Sequence, residues 1–335
     1  ILYVFKNYYL YIAMLPVATV ITNLSNDRLT RKFYPQYVCS GVLQDEVKKT
    51  IKKQVEGLMV SKICGTLRNS LDSIILSAFF GLATVAAYSN YYYILNAVHG
   101  ILTIIGVSMK AGVGNSIIKE TKEKNYEDLK KFTFTYAWLA GWLSCCMLCL
   151  YQPFMLIWTG KEEMVFPEHI MTLFCVYFFC VCMMDMRNVY MDAIGLWWEA
   201  RIRSIVEGIG NLILNLVLGY FFGVIGIIFA TLITLVTINL GYGTKILFDN
   251  FFSKQKLLEY LGQMVLYFVV TCVVAAICYI ICELLPFTSY LNLILRACVC
   301  VVVPNVLFVL LYSKNSNFVA TRDFFLVRIG SFVKK

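Results

Sequence analysis

The sequence predicts an all-α polytopic membrane protein with about nine transmembrane helices. Three observations lead to that expectation. Of the 335 residues, 60% are hydrophobic and only 15% are charged, against about 45–50% and about 25% in soluble domains; mean hydropathy is +0.72. The apolar residues arrive in runs of roughly 20, the length that crosses a hydrocarbon core of about 30 Å. Of the 29 basic residues behind the net charge of +9, 25 gather in or beside alternate connections between those runs, as expected when cytoplasmic loops carry the excess of Lys and Arg. Together these exclude an ordinary soluble enzyme, a disordered chain and a disulfide-stapled secreted module. The positive charge then reads as a topology signal, with no nucleic-acid partner.

Breaking the chain at its charge clusters places the spans near 2–23, 58–81, 84–109, 132–158, 168–186, 204–222, 224–247, 260–282 and 291–312. The chain begins at Ile1, already inside an apolar segment, so it is expected to be a piece of a longer protein. Residues 73–109 carry no Lys, Arg, Asp or Glu. One straight helix of that length would be about 55 Å long, so the run must double back, with the turn near Gly81. Residues 208–244 are likewise uncharged, and Gly219, Gly223 and Gly226 supply the turn. With residue 1 outside, the cytoplasmic segments are 24–57, 110–131, 187–203, 248–259 and 313–335, and the C-terminus is cytoplasmic.

Two cytoplasmic segments have helical character. In 44–62, Val47, Ile51, Val55, Leu58, Met59 and the adjoining Ile63 fall on one face and Lys48, Lys49, Lys52 and Lys53 on the other. The segment is either a surface helix lying on the anionic inner leaflet or a solvated linker. In 115–131, Asn125 stands three residues before Asp128 and is expected to cap the helix leading into the span at Phe132. The longest extracytoplasmic connection, 159–167, is too short for a soluble domain.

The thirteen cysteines mostly lie in apolar runs. Cys146 and Cys149 form a C-x-x-C, but no second pair completes a zinc set. They read as small apolar residues in helix packing, and neither a metal nor a cofactor is expected. No phosphate-binding glycine loop or catalytic motif stands out, so the chain is not read as an enzyme.

The chemistry-bearing candidates are charges and polar groups inside spans. Arg68 and Asp72, four residues apart, share a helix face and can pair. Such residues face a bundle interior or a watery cavity, so the two read either as a cavity charge with its counter-ion or as a structural lock between helices. Asn69 adjoins them. Asn90, Tyr91 and Asn96 cluster in the next span, where Tyr offers a stacking face and Asn both donors and acceptors for sugar hydroxyls, or where they serve interhelical packing. His99 lies mid-span. It is either a neutral imidazole bonded to a neighbouring helix or, with Asp72, a proton-coupling group. Arg296 near the outer end of the last span reads as snorkelling, and Glu207 as a partner of Arg203.

Three stretches carry a family resemblance: RNSLDSIILSAFFGLATVAAYSNYYYI from Arg68, KFYPQYVCSGVL before it, and MDAIGLWWEARIRSIVEGIGNLILNLVLGYFFGVIGIIFATLIT after it. With the order of spans and loops, the chain resembles the polysaccharide-exporting flippases, the Wzx-type branch of the MOP transporter superfamily, truncated at its N-terminus. The resemblance implies the C-terminal part of a two-lobe, twelve- to fourteen-helix transporter. Residues 1–23 would be the last helix of the first lobe and 24–57 a cytoplasmic loop with an amphipathic helix. Residues 58–247 would form the six-helix second lobe, 248–312 two additional helices and 313–335 a basic tail. The implied function is alternating-access flipping of an undecaprenyl-pyrophosphate-linked oligosaccharide repeat unit from the inner to the outer leaflet. That step serves surface polysaccharide (O-antigen, capsule or exopolysaccharide) synthesis in a bacterial inner membrane. Implied partners are the lipid-linked oligosaccharide, membrane lipids and the polymerase and export machinery, with Arg68 as the cavity cation for the anionic headgroup. A multidrug/cation antiporter or a lipid II flippase shares the superfamily, and a membrane-embedded oligosaccharide polymerase is the alternative from another class.

Overall fold

The structure is a computed structural model that describes residues 6–37, 41–285 and 290–333. Parts of four sequence readings fall outside those residues: positions 2–5 of the first span, positions 38–40 of the second resembling stretch, positions 286–289 of the last external connection, and Lys334 and Lys335 of the tail. Among the described residues every regular element is helical. Seven helices are long and apolar enough to cross a membrane, so the chain is an all-α, membrane-embedded type of protein.

The chain divides into two compact units, Ile1–Thr50 and Ile51–Lys335. In the first unit, α1 spans Tyr8–Phe33 and starts where the Asn7 side chain accepts a hydrogen bond from the Leu10 N–H at 3.1 Å. It runs past the expected end of the first span at residue 23, and none of its residues is buried.

α2, Asp45–Lys119, begins at the end of the first unit and continues into the second. It is helical on both sides of Gly81, whose φ of 81° and ψ of 171° are non-helical. The chain folds back there: the Tyr88 hydroxyl donates to the Asp72 carboxylate at 3.5 Å, whereas sixteen residues of straight helix would separate them by about 24 Å. α5, Trp197–Thr234, has the same device at Gly223, with φ 67° and ψ −145°. There the Asn211 amide donates to the Thr231 hydroxyl at 3.2 Å across the turn. Both φ values lie in the left-handed region, where only glycine is unstrained. Both hairpins therefore turn where the uncharged runs require it.

The remaining elements are α3 (Lys122–Thr159), α4 (Glu168–Ile194), α6 (Gly243–Asn250), α7 (Leu257–Glu283), α8 (Tyr290–Tyr312) and α9 (Ser316–Val333), with a π-helical stretch, Leu235–Tyr242, between α5 and α6. α3 packs against α4, α7, α8 and α9, and its Leu129, Ala140, Cys145 and Met155 are fully buried. Part of the expected basic tail is α9, which docks through Asn317 on the Tyr267 hydroxyl at 2.8 Å and through Phe318 stacked on Trp138.

Two local expectations need correcting. The α3 cap is Thr121, whose hydroxyl accepts from the Lys124 N–H at 3.2 Å. Asn125 lies inside the helix, buried, and its amide donates to the Ser116 and Thr121 carbonyls, bracing the α2–α3 turn. Most of the expected 187–203 loop is also helix: α4 continues to Ile194, Gly195 closes it with φ 82°, and α5 starts at Trp197. Arg187 is therefore fully buried inside α4. The stretch 44–62 is helical, and from Ile51 onward its apolar residues Ile51, Val55 and Met59 stay about half exposed. Its opposite side is tied to the α4–α5 corner, where Gln54 accepts from the Trp198 N–H at 3.1 Å.

Candidate functional site

A cavity of about 490 Å³ lies between the first half of α2, the end of α4, the start of α5 and the π-helical stretch. Lys62, Arg68 and Asn69 of α2, Asp192 of α4, and Arg203 and Glu207 of α5 line it. Each helix contributes because the corner at Gly195 turns α5 back against α4, while the hairpins bring α2 and the π-helical stretch alongside.

Arg68 pairs with Glu207, a residue of another helix, through a short contact. The expected partner Asp72 is instead held by neutral donors. Asn215 gives its amide to Asp72 at 2.6 Å, and the Thr231 and Tyr88 hydroxyls approach at 3.4 and 3.5 Å. Asp72 is 6% exposed and is absent from the cavity wall. It anchors a polar seam in which Asn215 also donates to Asn211 and Asn211 to Thr231.

Glu207 is the hub of the site. Besides Arg68 it accepts from the Asn239 side-chain amide, whose nitrogen lies 2.8 Å from each carboxylate oxygen, and it lies 3.9 Å from Arg203. The Asn239 side-chain oxygen accepts from Arg187 and Arg203, each at 2.7 Å. The Asn239 carbonyl accepts from Arg187 as well. One carboxylate and one amide thus organise three guanidinium groups. The amide sits in a π-helical stretch, a distortion that recurs at functional sites. On the opposite wall Asp192 is engaged by Lys110. With Lys62, Arg68 and Arg203 on the wall against Glu207 and Asp192, the cavity carries more positive than negative charge, and Arg187 lies buried behind it. Guanidinium forks in such a setting match phosphate oxygens bidentately.

The other expected site residues fall elsewhere. Tyr91 is fully buried, its hydroxyl donating to Gln152 at 2.6 Å and accepting from the Phe166 N–H at 3.2 Å, with its ring stacked on Tyr151. It offers no free face to a sugar. Asn90 is half-buried and Asn96 exposed, and neither lines the cavity. His99 bonds Asp185 of α4 at 3.0 Å, both side chains about a fifth exposed; this is the neighbouring-helix bond anticipated for it. Arg187 and Arg203 escape the sequence reading as site residues because it places both in a cytoplasmic loop; Asn239, with Asn211 and Asn215, reads from the sequence as a span residue suited to sugar hydroxyls or to interhelical bonds, and the structure sets it on the arginines. The apolar run MMDMRNVYMDAI around Arg187 was the available signal that the span continues past it.

The chain matches no family model, no curated protein and no solved structure.

Proposed function

We propose that this chain forms the headgroup-binding bundle of a bacterial inner-membrane flippase for an undecaprenyl-pyrophosphate-linked oligosaccharide. With two of the seven long helices folded at Gly81 and Gly223, it makes nine membrane crossings. Its first end is outside and its C-terminus cytoplasmic. The observation that carries the reading is the gathering of Arg68, Arg187 and Arg203 around Glu207 and Asn239, with Arg68 and Arg203 on the carboxylate and Arg187 on the amide, beside an open cavity. A pyrophosphate would displace Glu207 from Arg68 and leave the carboxylate to Arg203 and Asn239. In this topology the cavity opens toward the cytoplasmic leaflet, where the lipid-linked repeat unit is presented.

A lipid II flippase would use the same pyrophosphate chemistry, and competition between the two lipids distinguishes them. A cation antiporter calls for an acidic cavity, and the basic lining argues against it. A polymerase needs a larger extracytoplasmic catalytic segment than residues 159–167 afford.

The test is translocation of a labelled undecaprenyl-pyrophosphate oligosaccharide in proteoliposomes. Arg68→Ala is expected to lower the rate at least about tenfold, the scale of one lost charge-assisted hydrogen bond of about 1.5–3 kcal/mol, while the protein still inserts. No binding of the labelled lipid to the unmodified chain, or full movement with Arg68→Ala, rejects the reading.

A further inference from the structure

A second constellation lies in another part of the bundle. Cys149 of α3, Cys278 and Cys282 of α7 and Cys300 of α8 are each fully buried. Their four Sγ atoms all lie within 4.8 Å of one another. They form a small core of their own, separate from the main apolar core. The sequence hid them, because the C-x-x-C of Cys146 and Cys149 sends only Cys149 into the set.

We propose that these four thiols are a tetrathiolate site for one soft, tetrahedral divalent cation of the Zn²⁺ class. In such a site each metal–sulfur distance is about 2.3 Å, which sets neighbouring sulfurs about 3.8 Å apart. The observed span needs only small side-chain adjustments to reach that spacing. An iron–sulfur cubane puts each thiolate on a different iron and spreads the sulfurs further. Cys278 and Cys282, at i and i+4, form a two-ligand module on one face of α7.

The backbone around the other two ligands is fixed by one repeated device. Pro153 in α3 and Pro304 in α8 lack the N–H that would bond the carbonyl four residues earlier, and those carbonyls belong to Cys149 and Cys300. Each is satisfied from a different helix. Arg296 donates to the Cys149 carbonyl at 3.4 Å, and the Trp142 indole N–H to the Cys300 carbonyl at 2.8 Å. Bonds that orient ligand residues from outside the coordination sphere are the usual support of a metal site.

Charge and access also fit. Four thiolates around a divalent cation carry a net −2, and Arg296 brings positive charge to the Cys149 backbone. An outer cavity of about 440 Å³, lined by Gln152, Glu283 and Arg296 among others, lies a turn from Cys149 and next to Cys282. Its Glu283 carboxylate is paired with Arg296 at 3.0 Å, which holds the guanidinium beside the Cys149 carbonyl. Binding replaces the four thiol protons, which leave to solvent, and no oxidant or reductant is required. The bound ion would pin α7 and α8 to α3.

The full chain, purified in detergent with reductant, is assayed for zinc by mass spectrometry, then stripped and titrated with Co²⁺. About one zinc per chain and the intense visible and thiolate-to-cobalt charge-transfer bands of a tetrahedral thiolate site are expected. The double variant Cys149→Ser/Cys282→Ser should lose at least about tenfold in zinc affinity, while Cys272→Ser, an exposed cysteine of α7, should retain it. Absent charge-transfer bands in the unmodified chain overturn the site even if the double variant does not accumulate. So do zinc content unchanged in the double variant, which would mark adventitious metal, and peptide mapping that finds the four cysteines joined as disulfides.

Discussion

The α2/α5 side and the α3/α7/α8 wedge solve the same problem in opposite ways. Both bury polar groups inside a helical bundle, where an unpaired one costs free energy. On the α2/α5 side three arginines share Glu207 and Asn239, so the cations exceed what one carboxylate neutralises. In the wedge, each carbonyl released by a proline meets a dedicated donor, Trp142 or Arg296. The first region is left in need of an anion, whereas the second has its backbone satisfied. A site that must take and release a charged ligand gains from the first arrangement, and a joint that must hold gains from the second.

Substitutions can break this contrast, with effects that descend in size. Glu207→Leu should be the most damaging, because it leaves Arg68, Arg187 and Arg203 facing one another without their carboxylate. A loss of about 3–5 kcal/mol is expected, read as a lowered thermal midpoint in detergent, and added pyrophosphate should recover part of it. If Glu207→Leu unfolds no earlier than the unmodified chain, the charge excess is not real. Trp142→Phe keeps the ring but leaves the Cys300 carbonyl unsatisfied, at about 1–3 kcal/mol. That cost should not respond to pyrophosphate, so a response would erase the distinction between the regions. Gly223→Ala tests the hairpin itself: forcing a side chain into φ 67° should cost about 1–2 kcal/mol, measured the same way. Smallest is Thr121→Ala, which removes the α3 cap for about 1 kcal/mol and should alter local amide exchange at Lys124 without touching either site.

Much of the fold was legible in the sequence, because hydrophobic thickness and helical rise leave a long uncharged run no choice but to turn. Gly81 and Gly223 follow from that constraint alone. The site was legible only in part. Arg68 stood out as a charge in an apolar run, but the neighbour rule that paired it with Asp72 sees one helix at a time. Its partner Glu207 is reached only after two further helices have been laid down. Arg187 was misread for a related reason: a charge was taken as the end of a span, when burial against Asn239 lets the helix carry it inward. The tetracysteine set was hidden for the same cause, since spacing reveals Cys278 with Cys282 but says nothing of Cys149 and Cys300. Local periodicity specifies elements, and the contacts that carry chemistry form between them.

The turn at Gly81 has a consequence for how the protein is made. No polar segment separates the two apolar stretches it joins; Phe79, Phe80 and Leu82 flank it directly. The first stretch leaves the ribosome with Arg68 and Asp72 still lacking the Glu207 and Asn215 that later engage them. Alone in lipid the two would have only each other, four residues apart on one helix face. Entering as a closed hairpin, with the Tyr88 hydroxyl already beside Asp72, the pair delivers its own first polar contact to the bilayer. On the proposed nine-crossing topology, the glycine would set the unit of insertion as well as the shape, and the carboxylate would have a partner before the rest of the bundle is synthesised.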